Sequence, residues 1–224
     1  MDELIKNESI ISKLKTHYIF VSFKKNYGLI LLFFILTLGI FLRITYFQGI
    51  DFDGSMYALQ AKNILEGTYN INDLHYYDQG VRYSILLPLS LLYLIFGISE
   101  WTTIFIVFIA SILQVAFIYF FAKELFNEKV GLIAAFLLAI FPLDVNNATI
   151  LEADIIISFI TSIAVFLFYL GNKNGKKHYF FIVGLILGFV LFAKIFSILI
   201  FGVFFIYEIF FTKNFKKSLK TAFF

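Results

Sequence analysis

Two pairs of carboxylates stand out because each borders a long apolar run: Asp51 and Asp53 follow one such run, and Glu152 and Asp154 precede another. A carboxylate held at the edge of an apolar segment can deprotonate or orient an acceptor hydroxyl or amine. It can equally serve a helix. Asp53 stands before Gly54 and Ser55 at the head of a helical pattern, and Asp leads the N-cap preferences. Glu152 and Asp154 open a run whose N-terminal dipole favours negative charge. The cations raise the same question. Arg43 and Lys194 lie at ends of apolar runs, where basic side chains snorkel to headgroups or hold a lipid-linked phosphate through an Arg fork or a Lys point charge. The tract from His75 to Tyr83 (HYYDQGVRY), which includes Arg82, reads as an interfacial aromatic belt or as a platform for a sugar ring. No GxxxxGK[ST], HExxH or GxSxG occurs, which leaves nucleotide hydrolysis, zinc proteolysis and nucleophile-elbow esterase chemistry unsupported. The three His residues do not cluster, and the absence of Cys removes thiolate ligands, cysteine nucleophiles and disulfides.

The elements that must position these groups are membrane helices. Of 224 residues, 61% are hydrophobic and 15% charged, with a mean hydropathy of +0.90, whereas a soluble domain carries about a quarter charged residues. The fold expected is an all-α integral membrane protein. A net charge of +3 is too small to imply a nucleic-acid partner. Gly28 to Phe47 is long enough to cross a bilayer. A cleavable signal peptide is the competing reading, but Gly49, Ile50 and Asp51 follow the run rather than a small-residue cleavage site.

Further apolar runs are Ser84 to Ile98, Trp101 to Ala122, Val130 to Pro142, Ile155 to Leu170 and Tyr179 to Phe211. The lysines fix their parity. If Ser84 to Ile98 crossed the membrane, the groups Lys123 and Lys129, and Lys173, Lys176 and Lys177, would fall outside, against the positive-inside rule. If that Pro88-bearing segment lies on the outer surface, fourteen lysines become cytoplasmic. The second arrangement predicts six spans with both ends in the cytoplasm: 28–47, 101–122, 130–146, 155–170, 179 to about 193, and 195 to about 211. Residues 1–27 form a basic cytoplasmic segment, 48–100 an external loop with a helix at Ser55 to Glu66 closed by Gly67, and 213–224 a basic tail.

In this order the features resemble a known family. FLRITYF, then DFDGSMYALQAKNILEG, then LLPLSLLYLIFGISEW, then AKELFNEKVGLIAAFLLAIFP and LEADIIISF look like the N-terminal half of the GT-C polyprenyl-phosphate-sugar glycosyltransferases, among them protein O-mannosyltransferases and aminoarabinose transferases. The resemblance runs from about Leu42 to Phe211. It implies transfer of a sugar from a dolichyl- or undecaprenyl-phosphate donor to a protein or glycolipid acceptor at the outer face of the plasma membrane. It assigns Asp53 the place of the first-loop catalytic acid and Asp154 that of its partner, with Arg82 and Lys194 on the phosphate. Arg43, Asp51, Glu152, His75 and Tyr57 are further candidates for substrate contact. The family's acid is usually followed by Glu; here Gly54 follows, so the second carboxylate is missing unless Asp51 substitutes. No cofactor is implied, because Arg or Lys neutralises the leaving phosphate and a divalent metal is optional.

Family members continue through more spans, whereas this chain stops at Phe224, so a fragment or half of a two-part enzyme is expected. A transporter-like subunit would call for ionisable residues near the midplane and inverted repeats. A non-enzymatic assembly partner is the third reading.

Overall fold

The computed structural model describes residues 27–70, 82–194 and 198–211, and all regular structure among them is helical. The expected basic segment before residue 27, His75 and the tail beyond 211 lie outside the described residues. The helices are α1 (Tyr27–Thr45), α2 (Phe52–Glu66), α3 (Tyr83–Phe96), α4 (Glu100–Leu125), α5 (Glu128–Ala139), α6 (Pro142–Asn147), α7 (Ala153–Asn174), α8 (Lys177–Leu191) and α9 (Ile198–Phe211). The protein is an integral membrane protein. Helices α1, α4 and α7, of 19, 26 and 22 residues, are long and apolar enough to cross a bilayer on their own. Shorter apolar helices α3, α8 and α9 accompany them.

Local chemistry sets the helix ends. Ser99 accepts a hydrogen bond from Thr102 N at 3.1 Å to start α4, and Asn127 accepts one from Val130 N at 3.1 Å to start α5. Gly67, at φ 71°, closes α2 in the left-handed conformation that its missing Cβ makes accessible. The segment 130–146, expected as one span, is instead broken. Helix α5 stops at Ala139 and α6 begins at Pro142, because Pro lacks the N–H that would continue the ladder and drives Phe141 into an extended conformation (ψ 116°).

Three apolar clusters hold the bundle. Leu32, Val115, Tyr119, Ala135 and Ala139 join α1, α4 and α5. Residues Ala164, Phe168, Val183 and Leu187 join α7 to α8, with the Phe168 ring stacked on Phe204 of α9 at 4.3 Å. The third cluster packs Tyr57 and Ala61 of α2 against Ile85, Leu86 and Leu89 of α3, Val107 of α4, and Leu151 and Ala153. Helix α5 presses on α4 so closely that a Cβ on Gly131 would stand 2.6 Å from the Tyr119 carbonyl oxygen.

These packings sort the helix ends into two groups. One end gathers lysines: Lys123 and Tyr119 meet Glu128 at 3.1 and 3.0 Å, and Lys173 meets Glu124 at 2.7 Å. The other gathers the carboxylate-bearing loops: the Phe47 and Trp101 rings are 5.0 Å apart, and Gln48 N donates to Thr149 Oγ1 at 3.0 Å. Helix α3 begins and ends at this second end. Arg82 at its start meets Tyr57, and Tyr93 in its last turn meets Thr103 at 2.6 Å, near the start of α4. A helix that returns to the end it left does not traverse the bundle.

Candidate functional site

At the carboxylate-bearing end, three segments distant in sequence meet. The first is the start of α2. Asp51, not Asp53, is its N-cap: Asp51 Oδ1 accepts from Gly54 N at 2.7 Å. The expectation that Asp53 caps this helix is corrected by two residues, since the helix starts at Phe52 and the cap must precede it. Asp53 in the first turn is exposed. A Cβ on Gly54 would lie 2.7 Å from the same Asp51 oxygen. The Asp51 carboxylate thus occupies the space where a side chain at 54 would begin.

The second segment is the lead into α7. Asp154, exposed on the first turn, accepts from Lys194 Nζ at 2.6 Å, and Lys194 follows α8. Glu152 is the half-buried residue just before α7. Burial, reinforced by the neighbouring charges of Asp51, Asp154 and Asp53 and opposed by Lys194, holds the Glu152 carboxyl above the usual glutamate range. Those influences bring all four carboxylates and the lysine into one electrostatic neighbourhood. Among the described residues, no three His, Cys, Asp or Glu side chains are arranged to hold a metal ion.

The third segment is the start of α3. Arg82 donates to the Tyr57 hydroxyl and lies over the Tyr57 ring, 5.6 Å from its centroid. Burial pushes the Tyr57 phenol up; Arg82 opposes this, and Asp53 and Asp154 add to it. Tyr57 therefore stays a neutral hydroxyl that links the cation of α3 to the carboxylate face. Of the candidate residues, Asp51, Asp53, Tyr57, Arg82, Glu152, Asp154 and Lys194 are thus neighbours.

Arg43 is not among them. Its side chain is fully buried, and all three of its nitrogens are engaged by protein. Nε donates to Ser111 Oγ at 2.6 Å, Nη1 to the Gly39 and Ala139 carbonyl oxygens at 2.9 and 3.1 Å, and Nη2 to Asp144 Oδ2. Ser111 Oγ in turn donates to Asp144 Oδ2 at 2.5 Å. The guanidinium neither snorkels to headgroups nor reaches the carboxylate face. Sequence reasoning passed over Ser111 and Asp144 as functional residues. One signal was available: an arginine inside an apolar span defaults to having an internal partner, and Asp144 lies within the run read as the third span.

The family of proteins whose model bears the description dolichyl-phosphate-mannose-protein mannosyltransferase matches residues 85–224. That stretch takes in Asp144, Glu152, Asp154 and Lys194 and begins after α1 and α2. No curated protein matches the chain significantly.

Proposed function

Because this chain belongs to the dolichyl-phosphate-mannose-protein mannosyltransferase family, that of the polyprenyl-phosphate-sugar glycosyltransferases of GT-C type, we propose that its carboxylate-bearing end is the transfer site of such an enzyme. In this reading the end faces outward from the cytoplasmic membrane. A hydroxyl of a protein or glycolipid acceptor attacks the anomeric carbon of a sugar carried on a polyprenyl phosphate. The new C–O bond forms on the face opposite the departing phosphate oxygen, so the configuration inverts. The hydroxyl proton passes to Asp53, and the polyprenyl phosphate leaves with its growing negative charge met by Lys194 and Arg82.

The observation that carries this reading is the convergence of exposed Asp53, the Asp154 to Lys194 pair and the Arg82 to Tyr57 pair from three separate segments at one end of the bundle. The division of labour between the first two acids supports it as well. Since Asp51 does the capping, Asp53 is left without that structural duty. Asp51, whose Oδ1 lies 2.7 Å from where a Cβ on Gly54 would stand, is the nearby carboxylate that can substitute for the Glu usual in the family. Asp154 holds the Lys194 ammonium at 2.6 Å among the carboxylates, where the phosphate would dock.

The test is Asp53→Asn in the membrane-embedded enzyme with all its chain present, because the amide keeps shape and hydrogen bonding and removes only the charge. Sugar transfer from a polyprenyl-phosphate donor should fall about 10² to 10⁴-fold, the usual contribution of a general base, while donor binding survives. Lys194→Ala should instead raise the donor KM, since a phosphate partner acts before as well as during the reaction. If Asp53→Asn and Asp154→Asn both transfer at the wild-type rate, the acids are structural and this reading fails.

A further inference from the structure

Resting on that reading of the site, we propose that Arg43, Asp144 and Ser111 form a positioning lock for the transfer reaction: without touching substrate, they set the spacing between the Asp53 carboxylate and the Asp154 to Lys194 pair.

The lock closes on itself. Arg43 of α1 donates to Ser111 of α4 and to Asp144 of α6, and Ser111 donates to the same carboxylate oxygen that Arg43 holds. Charge is balanced inside it, and the Arg43 and Asp144 side chains are 0% and 10% exposed. The lock also sits on the break in the α5 to α6 segment. Arg43 Nη1 donates to the Ala139 carbonyl, an orphan acceptor at the end of α5, and Asp144 stands in the first turn of α6, where the helix dipole favours a carboxylate. One guanidinium therefore ties the last turn of α5 to the first turn of α6 across a broken helix.

What it joins matters for the chemistry. Chain leaving α1 carries Asp51 and Asp53; chain leaving α6 carries Glu152 and Asp154. Beyond the lock the two strands of chain are stitched again, by Gln48 N on Thr149 Oγ1 at 3.0 Å and by close packing of Gly54 on Leu151, whose Cβ a Cβ at 54 would approach to 3.2 Å. Any rotation of α1 against α6 moves one pair of acids relative to the other. A displacement of about 1 Å in a reacting group costs about 100-fold in rate even when its source is remote from the chemistry.

The experiment compares Arg43→Met with Asp144→Leu together, a neutral replacement, against the wild-type enzyme in bilayers, with Asp53→Asn measured in parallel. Removing both charges leaves no buried unpaired ion, so the double variant should fold. Its donor KM should stay near the wild-type value while kcat falls about 10 to 100-fold. The chain has no native cysteine, so spin labels on single cysteines at Ser55 and Asn146 report the α2 to α6 distance directly, and the distribution should broaden or shift in the double variant. Ser111→Ala, which keeps both charges, should lower kcat about 3 to 10-fold at constant KM, and Arg43→Lys should recover less than the full rate because a point charge cannot serve four acceptors. A double variant with wild-type kcat and an unchanged distance distribution overturns the proposal. So does a donor KM that rises while kcat holds, which would make Arg43 a phosphate contact. Should the double variant fail to fold, Ser111→Ala with wild-type kcat overturns it alone. If Asp53→Asn is fully active, the reading of the site has failed instead, and the label distances still report whether the lock holds the two segments together.

Discussion

Among the described residues, two Arg or Lys to Asp pairs lie at or near the carboxylate-bearing end, and they are built oppositely. Arg43 and Asp144 are 0% and 10% exposed and share their polar atoms with a serine and two backbone carbonyls, whereas Lys194 and Asp154 are 39% and 59% exposed and meet where solvent reaches both side chains. In a low-dielectric interior, a charge that loses its partner has no solvent to turn to, so evolution can keep the first pair only as a complete set. The second pair can be opened at little cost, because water or a competing phosphate replaces either partner. A site that must receive an anion needs the second kind of cation, and a scaffold that must hold still needs the first.

The contrast is sharpest in orientation, where the expected effect is all or none. The proposed transfer site puts the exposed pair at an outward-facing end, and on that proposal the lysine-bearing end faces the cytoplasm. Single cysteines at Asn127 and Asn174, both exposed at the lysine-bearing end, should be protected from an impermeant thiol reagent in intact cells, while a cysteine at Ser55 is labelled. Labelling of the first two without permeabilisation would reverse the assignment.

Next in size is stability. Arg43→Ala or Asp144→Ala strands a buried charge and should cost about 3 to 5 kcal/mol, measured by unfolding in detergent. Lys194→Ala or Asp154→Ala should stay within about 1 kcal/mol of wild type. Equal losses from the two pairs would erase the comparison.

The smallest effect belongs to Glu152. Its carboxyl is raised by burial and by the acids around it, so the native state binds that proton more tightly than the unfolded chain does. This contribution to stability is complete below the ordinary glutamate range and is lost as pH rises through the raised native value. Glu152→Gln should therefore unfold at a slightly higher temperature than wild type at neutral pH, with the two curves converging as pH falls. A variant less stable at neutral pH would mean that Lys194 stabilises the ionised form and outweighs the acids.

Much of this arrangement was legible in the sequence, and the exceptions share a cause. Apolar runs and lysine positions located the long helices and grouped Asp51, Asp53, Glu152 and Asp154 at one end, because hydrophobic length and charge flanks are local properties. Helix α3 was also readable as a separate short helix, since Gly97 stops its apolar run. The α5 to α6 break was missed although Pro142 was in view, because apolar content alone does not separate one span from two short helices. Asp51 was not chosen over Asp53 as the cap because both fit the preference and only the helix start decides between them. Arg43 was the largest gap. Its partners lie 68 and 101 residues downstream, and nothing local to FLRITYF announces them.

That separation along the chain has a consequence for how the protein is made. Synthesis runs from the N-terminus at about 5 to 20 residues per second. Asp144 follows Arg43 by 101 residues, so it is made about 5 to 20 s later at that rate. For that interval α1 holds a cation without its counter-ion, at a cost of about 3 kcal/mol if it were held at the bilayer centre. Arg43 stands two residues before Thr45, where α1 ends, and from there the side chain can reach the headgroups while it waits. The insertion of α1 thus does not depend on its later neighbours, and burial of the guanidinium marks the moment at which α1, α4, α5 and α6 have come together around it.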